Sequence, residues 1–313
     1  MITKNLSQQT YTMPSKQDKK PKLLWIQGHS CNGNSHSFLN LPNLENLIDN
    51  FEVIYHPILN STHSYQEVTK CKLNCDILIF EGTFDYNLKR ADISVYEVLK
   101  HYTQDAKMVV AVGSCASFGG IFKEISPESC CGLVFDKDKL TPPLIEQKGK
   151  VINLSGCPVH PKWLGFVLTA FLNEIKIYLD EQLRPVELYS SLAHHGCSRN
   201  EYFEWKVDSK NFGLKEGCLY YEQGCRAPMT HSSCNKILWN ETSSKTRVGT
   251  PCFGCTEPDF PRKNLFTTQT NMSIPQEVPV GVSKRSYLTM AGIAKTFHIK
   301  RLEGKLIDYK TTD

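Results

Sequence analysis

Short apolar runs recur along the first half of the chain: Leu23 to Ile26, Val53 to Tyr55, Ile77 to Phe80 and Met108 to Val112, with a fifth at Val151 to Leu154. Runs this short, without polar alternation, match strands buried on both faces, as in a parallel sheet. Helix-like stretches such as Ser94 to Ala106 separate them, so the pattern predicts an open α/β fold.

Every run but the second leads into a glycine-bearing loop, at Gly28, Gly82, Gly113 and Gly156. Three of those loops carry a cysteine, Cys31, Cys115 and Cys157, and the fourth carries Glu81. Ligands of an open α/β sheet collect beyond the carboxyl ends of its strands, so the three cysteines are expected to converge there. Glu81, at a strand end facing the same crevice, reads as a loop carboxylate, with a proton or hydrogen-bonding role as the alternative.

Past Pro158 and Pro161 the apolar stretch Trp163 to Leu179 predicts a helix packed on the sheet. From about Leu188 the periodicity fades, and Gly, Ser, Asn and Cys dominate up to Pro261. Helical spacing returns at Ser283 to Phe297, with Tyr287, Leu288, Ala291, Ala294 and Phe297 on one apolar face.

At 313 residues the chain has room for two domains, and 40% hydrophobic with 22% charged residues is ordinary for a globular protein. A net charge of +4, with basic clusters confined to Lys16–Lys22 and Lys300–Lys305, argues against a nucleic-acid surface. Thirteen cysteines cannot all pair, and the C-x2-C spacing of Cys252 and Cys255 favours metal binding in a reducing compartment. The first twenty residues hold no apolar export core and no twin arginine, and Trp163 to Leu179 is too short to span a bilayer. A cytoplasmic protein without a transmembrane segment is expected.

The cysteines fall into three constellations. Cys31, Cys115 and Cys157 read either as thiolates for an iron-sulfur cluster or as three buried structural cysteines. His194, Cys197, Cys218 and Cys225 offer one imidazole and three thiolates, which suits an iron-sulfur cluster or a structural zinc, with His195 a rival ligand. Cys234, Cys252 and Cys255 give three thiolates, favouring a three-iron cluster unless His231 completes a zinc site. Cys71, Cys75 and the vicinal Cys130 and Cys131 receive no role.

The segments GHSCNGN (Gly28 to Asn34), FEGTFD (Phe80 to Asp85), VGSCASFGGI (Val112 to Ile121) and SGCPVHP (Ser155 to Pro161) resemble the amino-terminal half of nickel-iron hydrogenase small subunits. Downstream, HHGCSR, GCLYYEQGC, THSSCNKILWN and PCFGCTEPDFP resemble the carboxyl-terminal half in the same order, and VSKRSYLTMAGIAK resembles that family's closing run. The resemblance covers roughly residues 22 to 302, and agreement of so many motifs in register is far more specific than any one of them.

The resemblance implies a polar leader over 1–21, a flavodoxin-like domain with a parallel sheet over 22–187, and an irregular iron-sulfur-cluster-binding domain over 188–313. It implies a proximal 4Fe-4S cluster on Cys31, Cys115 and Cys157, a distal 4Fe-4S cluster on His194, Cys197, Cys218 and Cys225, and a medial 3Fe-4S cluster on Cys234, Cys252 and Cys255. The Ni-Fe centre belongs to the large subunit, so this chain has no catalytic residue of its own. It is expected to relay electrons between that partner and a redox acceptor protein during reversible hydrogen oxidation.

The chain departs from the family where a second cysteine follows the first as C-x2-C, since that place is Asn34. Candidates for the fourth proximal ligand are Asn34, a water or Cys75. The polar start, without a twin-arginine leader, resembles the cytosolic uptake and hydrogen-sensing branch. A hydrogen-sensing role and a zinc-stabilised binding protein are the alternative readings.

Overall fold

The computed structural model describes residues 19–71, 73–136 and 140–296. Most of the polar leader, the Lys300–Lys305 cluster and Phe297 lie outside the described residues.

All five apolar runs form strands: β1 (Lys22–Gln27), β2 (Glu52–Tyr55) and β3 (Ile77–Glu81), then, after the two-residue strand β4 (Phe84–Asp85), β5 (Met108–Val112). β6 (Cys130–Cys131) pairs antiparallel with β4, and β7 (Val151–Leu154) completes the set. The main sheet has the order β2-β1-β3-β5-β7 with every pair parallel, the flavodoxin-like order. β3 and β5 are buried at every position, which is why their sequences show no alternation.

Register places the strand ends level. Gln27 lies beside Glu81, Glu81 beside Val112, and Val112 beside Leu154. The loops bearing Cys31, Cys115 and Cys157 therefore leave one edge of the sheet together. β1 and β3 flank the point where the strand order reverses, the crevice in which ligands of such sheets collect.

Helices cover the sheet. α1 (Gly33–Leu39) follows the Cys31 loop, α2 (Val95–Asp105) buries Val95, Val98, Leu99 and Tyr102 at helical spacing, and α3 (Ser114–Phe118) carries Cys115. α4 (Pro161–Leu172) starts with Pro161 in its first turn, where a missing N–H costs nothing, and the ring of His160 accepts from the Lys162 amide at 3.1 Å. The expected helix of Trp163 to Leu179 stops at Leu172. The Asn173 side chain donates back to the Thr169 carbonyl at 2.8 Å and Glu174 turns into the left-handed region, so the apolar residues beyond lie in irregular backbone.

Two compact units divide the chain. One runs through Ser190 and takes in Cys255–Pro261; the other holds Ser191–Gly254 and the residues from Arg262 onward. The second domain expected over 188–313 thus gives up the segment Cys255–Pro261 to the first. Ser155 Oγ donates to the Thr256 carbonyl at 2.8 Å and Arg184 Nη1 to the same carbonyl at 3.0 Å, fastening this segment to the sheet unit.

In the second unit α5 (Lys284–Thr296) buries Tyr287 and Ala294, seven residues apart on one face. Leu288, expected on that face, is 41% exposed, because one residue turns the helix by about 100°. Among the described residues no helix is long and apolar enough to cross a membrane.

Candidate metal centres

The first constellation sits on the level edge of the sheet. Cys31 and Cys157 are exposed and Cys115 is half-buried, a poor match to three structural core cysteines. Burial pushes the Cys115 thiol up, against hydrogen bonds from Thr83 and the Ile121 amide, and the Cys31 sulfur is near enough to raise it further. Close backbone approach needs glycine here. A Cβ on Gly82, at φ +94°, meets the His29 carbonyl oxygen at 2.4 Å, and one on Gly113, at φ +92°, meets Asn34 Nδ2 at 2.5 Å.

Glu81 is the last residue of β3 and fully buried, not the loop carboxylate expected. Oε1 accepts from the amides of Asn34 at 3.0 Å and Ser35 at 3.2 Å. Oε2 accepts from Ser35 Oγ at 2.5 Å, Gln27 Nε2 at 2.9 Å and Trp25 Nε1 at 3.2 Å. Burial opposes ionisation, but these donors outweigh it and hold the carboxyl below its ordinary range. Asn32, the residue before α1, makes no side-chain cap, so Glu81 supplies the acceptor for the first turn of α1 and thereby fixes the Cys31 loop.

Asn34 is buried in that turn. Its Oδ1 accepts from the Val159 amide at 2.9 Å and its Nδ2 donates to the Val112 carbonyl at 3.4 Å. One amide thus bridges the Cys31 loop, the end of β5 and the loop after Cys157. Cys75 cannot serve as the fourth proximal ligand. It precedes β3 at the far end of the strands, is buried in the core, and burial pushes its thiol up to about 12.

Ser114 joins the same edge. Its Oγ accepts from the Gly156 amide at 2.9 Å and donates to the Cys255 carbonyl. Sequence reasoning misses this hydroxyl, although it stands beside Cys115 in the SCAS motif.

In the second unit burial pushes the Cys225 thiol up to about 11 and raises Cys218 further; Cys197 raises both again, and Cys225 also raises Cys218. Backbone amides point at the sulfurs: Arg199 at Cys197 and Tyr220 at Cys218, both at 3.4 Å, and Cys252 at Cys225 at 3.3 Å. Burial favours the protonated form of both thiols, and a bound metal's charge would favour the thiolate. Burial holds the His194 imidazole down to about 4, so its ring is neutral and able to ligate. It lies against Phe203, with ring centroids 4.5 Å apart, whereas His195 is exposed.

Arg199, also missed, is 3% exposed. Its guanidinium donates to the carbonyls of Thr246 and Gly217 at 2.7 Å and of Glu216 at 3.1 Å, clamping the loop that leads to Cys218. The available signal is the arginine in HHGCSR, two residues after Cys197.

Of the third constellation, Cys234 and Cys252 belong to the second unit and pack on one small cluster with Cys225, Leu219 and Ala227. Cys255 belongs to the first unit. The donor set of soft thiols with amides directed at sulfur fits iron-sulfur chemistry.

Comparison with known proteins gives two family models. Residues 189–267 match the model for the C-terminal part of the NiFe/NiFeSe hydrogenase small subunit, and residues 31–171 match the model for NADH ubiquinone oxidoreductase, 20 Kd subunit. The periplasmic nickel-iron hydrogenase small subunit 1 of Nitratidesulfovibrio vulgaris is 31% identical, the match covering 77% of this chain and 80% of that protein. The uptake hydrogenase small subunit from Cupriavidus necator is 30% identical over 80% of this chain and 73% of its own length. Among solved structures, the recombinant nickel-iron-selenium hydrogenase of Desulfovibrio vulgaris Hildenborough superposes with a TM-score of 0.65 at 25% identity, covering 81% of this chain and all of the matched chain.

Proposed function

The chain belongs to the family of nickel-iron hydrogenase small subunits, and from that premise we propose how its residues serve the family's task. It is the electron-transferring member of a heterodimer in which the large subunit holds the Ni-Fe centre, and it takes part in hydrogen oxidation. When bound, iron-sulfur clusters supply one-electron redox chemistry.

In our reading Cys31, Cys115 and Cys157 hold a proximal 4Fe-4S cluster. His194, Cys197, Cys218 and Cys225 hold a distal 4Fe-4S cluster, and Cys234, Cys252 and Cys255 a medial 3Fe-4S cluster. Glu81 holds the turn that carries Cys31, Ser114 couples the loops of Cys157 and Cys255, and Arg199 brings positive charge to the distal thiolates. Asn34 acts as a brace between loops, and the fourth proximal position goes to a ligand other than cysteine. Electrons leave to a redox acceptor protein, and we place the complex in the cytoplasm, a reading that rests on the odd number of cysteines and the C-x2-C spacing of Cys252 and Cys255. A zinc-stabilised binding role accords less well with relatives that are hydrogenase subunits.

The observation that carries the reading is the level edge of the sheet, where register brings three cysteine loops together. The test is anaerobic co-expression with the large subunit, metal analysis, and low-temperature electron paramagnetic resonance before and after hydrogen. Iron, sulfide and nickel with hydrogen-reducible cluster signals are expected. Zinc without iron, or clusters indifferent to hydrogen, sinks the reading.

A further inference from the structure

Vicinal cysteines such as Cys130 and Cys131 bind one metal awkwardly, but the strand that carries them parts the two. Successive residues of β6 face opposite sides, so Cys131 enters the apolar core while Cys130 turns towards Asp85, its partner in the β4–β6 register. His29 reaches the same point from the loop after β1, its backbone locked to Thr83 by reciprocal hydrogen bonds of 2.9 Å.

We propose that His29, Asp85 and Cys130 form a mononuclear zinc site distinct from the cysteine sets assigned above. One ligand atom from each lies within 4.8 Å of the other two, and His29 Nε2 is 2.8 Å from Asp85 Oδ2. Zinc bonds of about 2.0–2.3 Å put tetrahedral ligand atoms roughly 3.3–3.8 Å apart, so side-chain shifts of about 1 Å gather the triad around an ion.

The surroundings orient the donors as metal sites require. Asp85 Oδ1 accepts from the Asn87 amide at 2.8 Å, so Oδ2, which bonds His29 Nε2 at 2.8 Å in the metal-free chain, is the oxygen that zinc takes in place of that bond. Phe122 stacks on the His29 ring with centroids 5.0 Å apart, fixing its plane. Ser129 Oγ lies 3.8 Å from the Cys130 sulfur.

The charges also balance. Zinc binding releases the Cys130 thiol proton to solvent, and one thiolate, one carboxylate and a neutral imidazole then cancel the dication's formal charge. Without a cation, burial pushes that thiol up, and the Asp85 charge raises it further. The His29 side chain is 31% exposed, so the fourth position opens to water.

The test uses the complete heterodimer, incubated with zinc chloride and desalted. One equivalent of zinc is expected, with a zinc K-edge absorption spectrum showing one sulfur at about 2.3 Å and nitrogen or oxygen at about 2.0–2.1 Å. Cys130→Ser and His29→Gln are each expected to lower zinc affinity at least tenfold while iron content is retained. If a variant fails to assemble, the wild-type spectrum decides. Absence of zinc, a shell without sulfur, or undiminished zinc in both variants overturns the proposal. Iron measured on the same sample separates this outcome from failure of the cluster reading: zinc beside full iron belongs to the triad, whereas sulfur-rich zinc with iron missing belongs to the cysteine sets.

Discussion

Ser114 donates its hydroxyl hydrogen to the backbone carbonyl of Cys255, a residue 141 positions away, while accepting the Gly156 amide at 2.9 Å. One buried oxygen therefore fixes the spacing of the loops bearing Cys115, Cys157 and Cys255. Ser114→Ala leaves a buried amide and a carbonyl unpaired, at a cost of about 1–3 kcal/mol. Hydrogen-driven dye reduction is expected to fall severalfold, while hydrogen-deuterium exchange at the partner's centre stays unchanged. Equal loss of both would contradict a role confined to the electron path.

Glu81→Gln replaces an acceptor by an amide whose NH2 faces donors. A loss of about 1–3 kcal/mol is expected, lowering the melting temperature by roughly 2–12 °C. The folded carboxyl titrates below its unfolded value of about 4.3, so its stabilisation is complete above that pH and disappears as pH falls through the lower folded value. Melting temperature followed from pH 6 to pH 3 should drop more steeply in the wild type than in the variant.

Arg199 places a buried cation near the distal thiolates. At an effective dielectric of about 20, a charge roughly 10 Å away contributes about 1–2 kcal/mol. That equals about 40–85 mV on a one-electron couple. Arg199→Met should lower the distal potential by this amount, and Arg199→Lys by less, in a redox titration followed by electron paramagnetic resonance.

Asn34→Ala should keep the iron content while lowering the melting temperature by a few degrees, because the Val159 amide and Val112 carbonyl lose their partner. Asn34→Cys should also change the proximal signal, since it offers a thiolate on the first turn of α1, beside Cys31. Loss of iron in Asn34→Ala would instead identify the amide as a ligand.

His194 and His195 are separated by the same logic. His194→Ala should abolish the distal cluster signal, and His195→Ala should leave it intact, because the exposed ring of His195 is free to stay in solvent. The spectra of the two variants decide between the neighbours.

The sheet is legible because strands buried on both faces write themselves as apolar runs, and the glycines after them mark where loops crowd one edge. Sequence overextends α4 because apolar Ile175, Ile177 and Leu179 continue its composition beyond the turn at Asn173 and Glu174. Glu81 reads as a loop residue because sequence shows one carboxylate but not the five donors converging on it from Trp25, Gln27, Asn34 and Ser35. Ser114 and the Cys130 triad escape notice for the same reason. Their chemistry comes from residues distant in sequence, and no spacing rule connects His29 with Cys130.

The segment Cys255–Pro261 sets a timetable for biosynthesis. The sheet unit is otherwise complete at Ser190, yet Ser155 and Arg184 meet their Thr256 acceptor only after about 70 further residues have left the ribosome. At about 5–20 residues per second, that interval lasts several seconds. Through it the Cys115 and Cys157 loops are held to each other by the Ser114–Gly156 bonds, and the strap through Cys255 and Thr256 closes last.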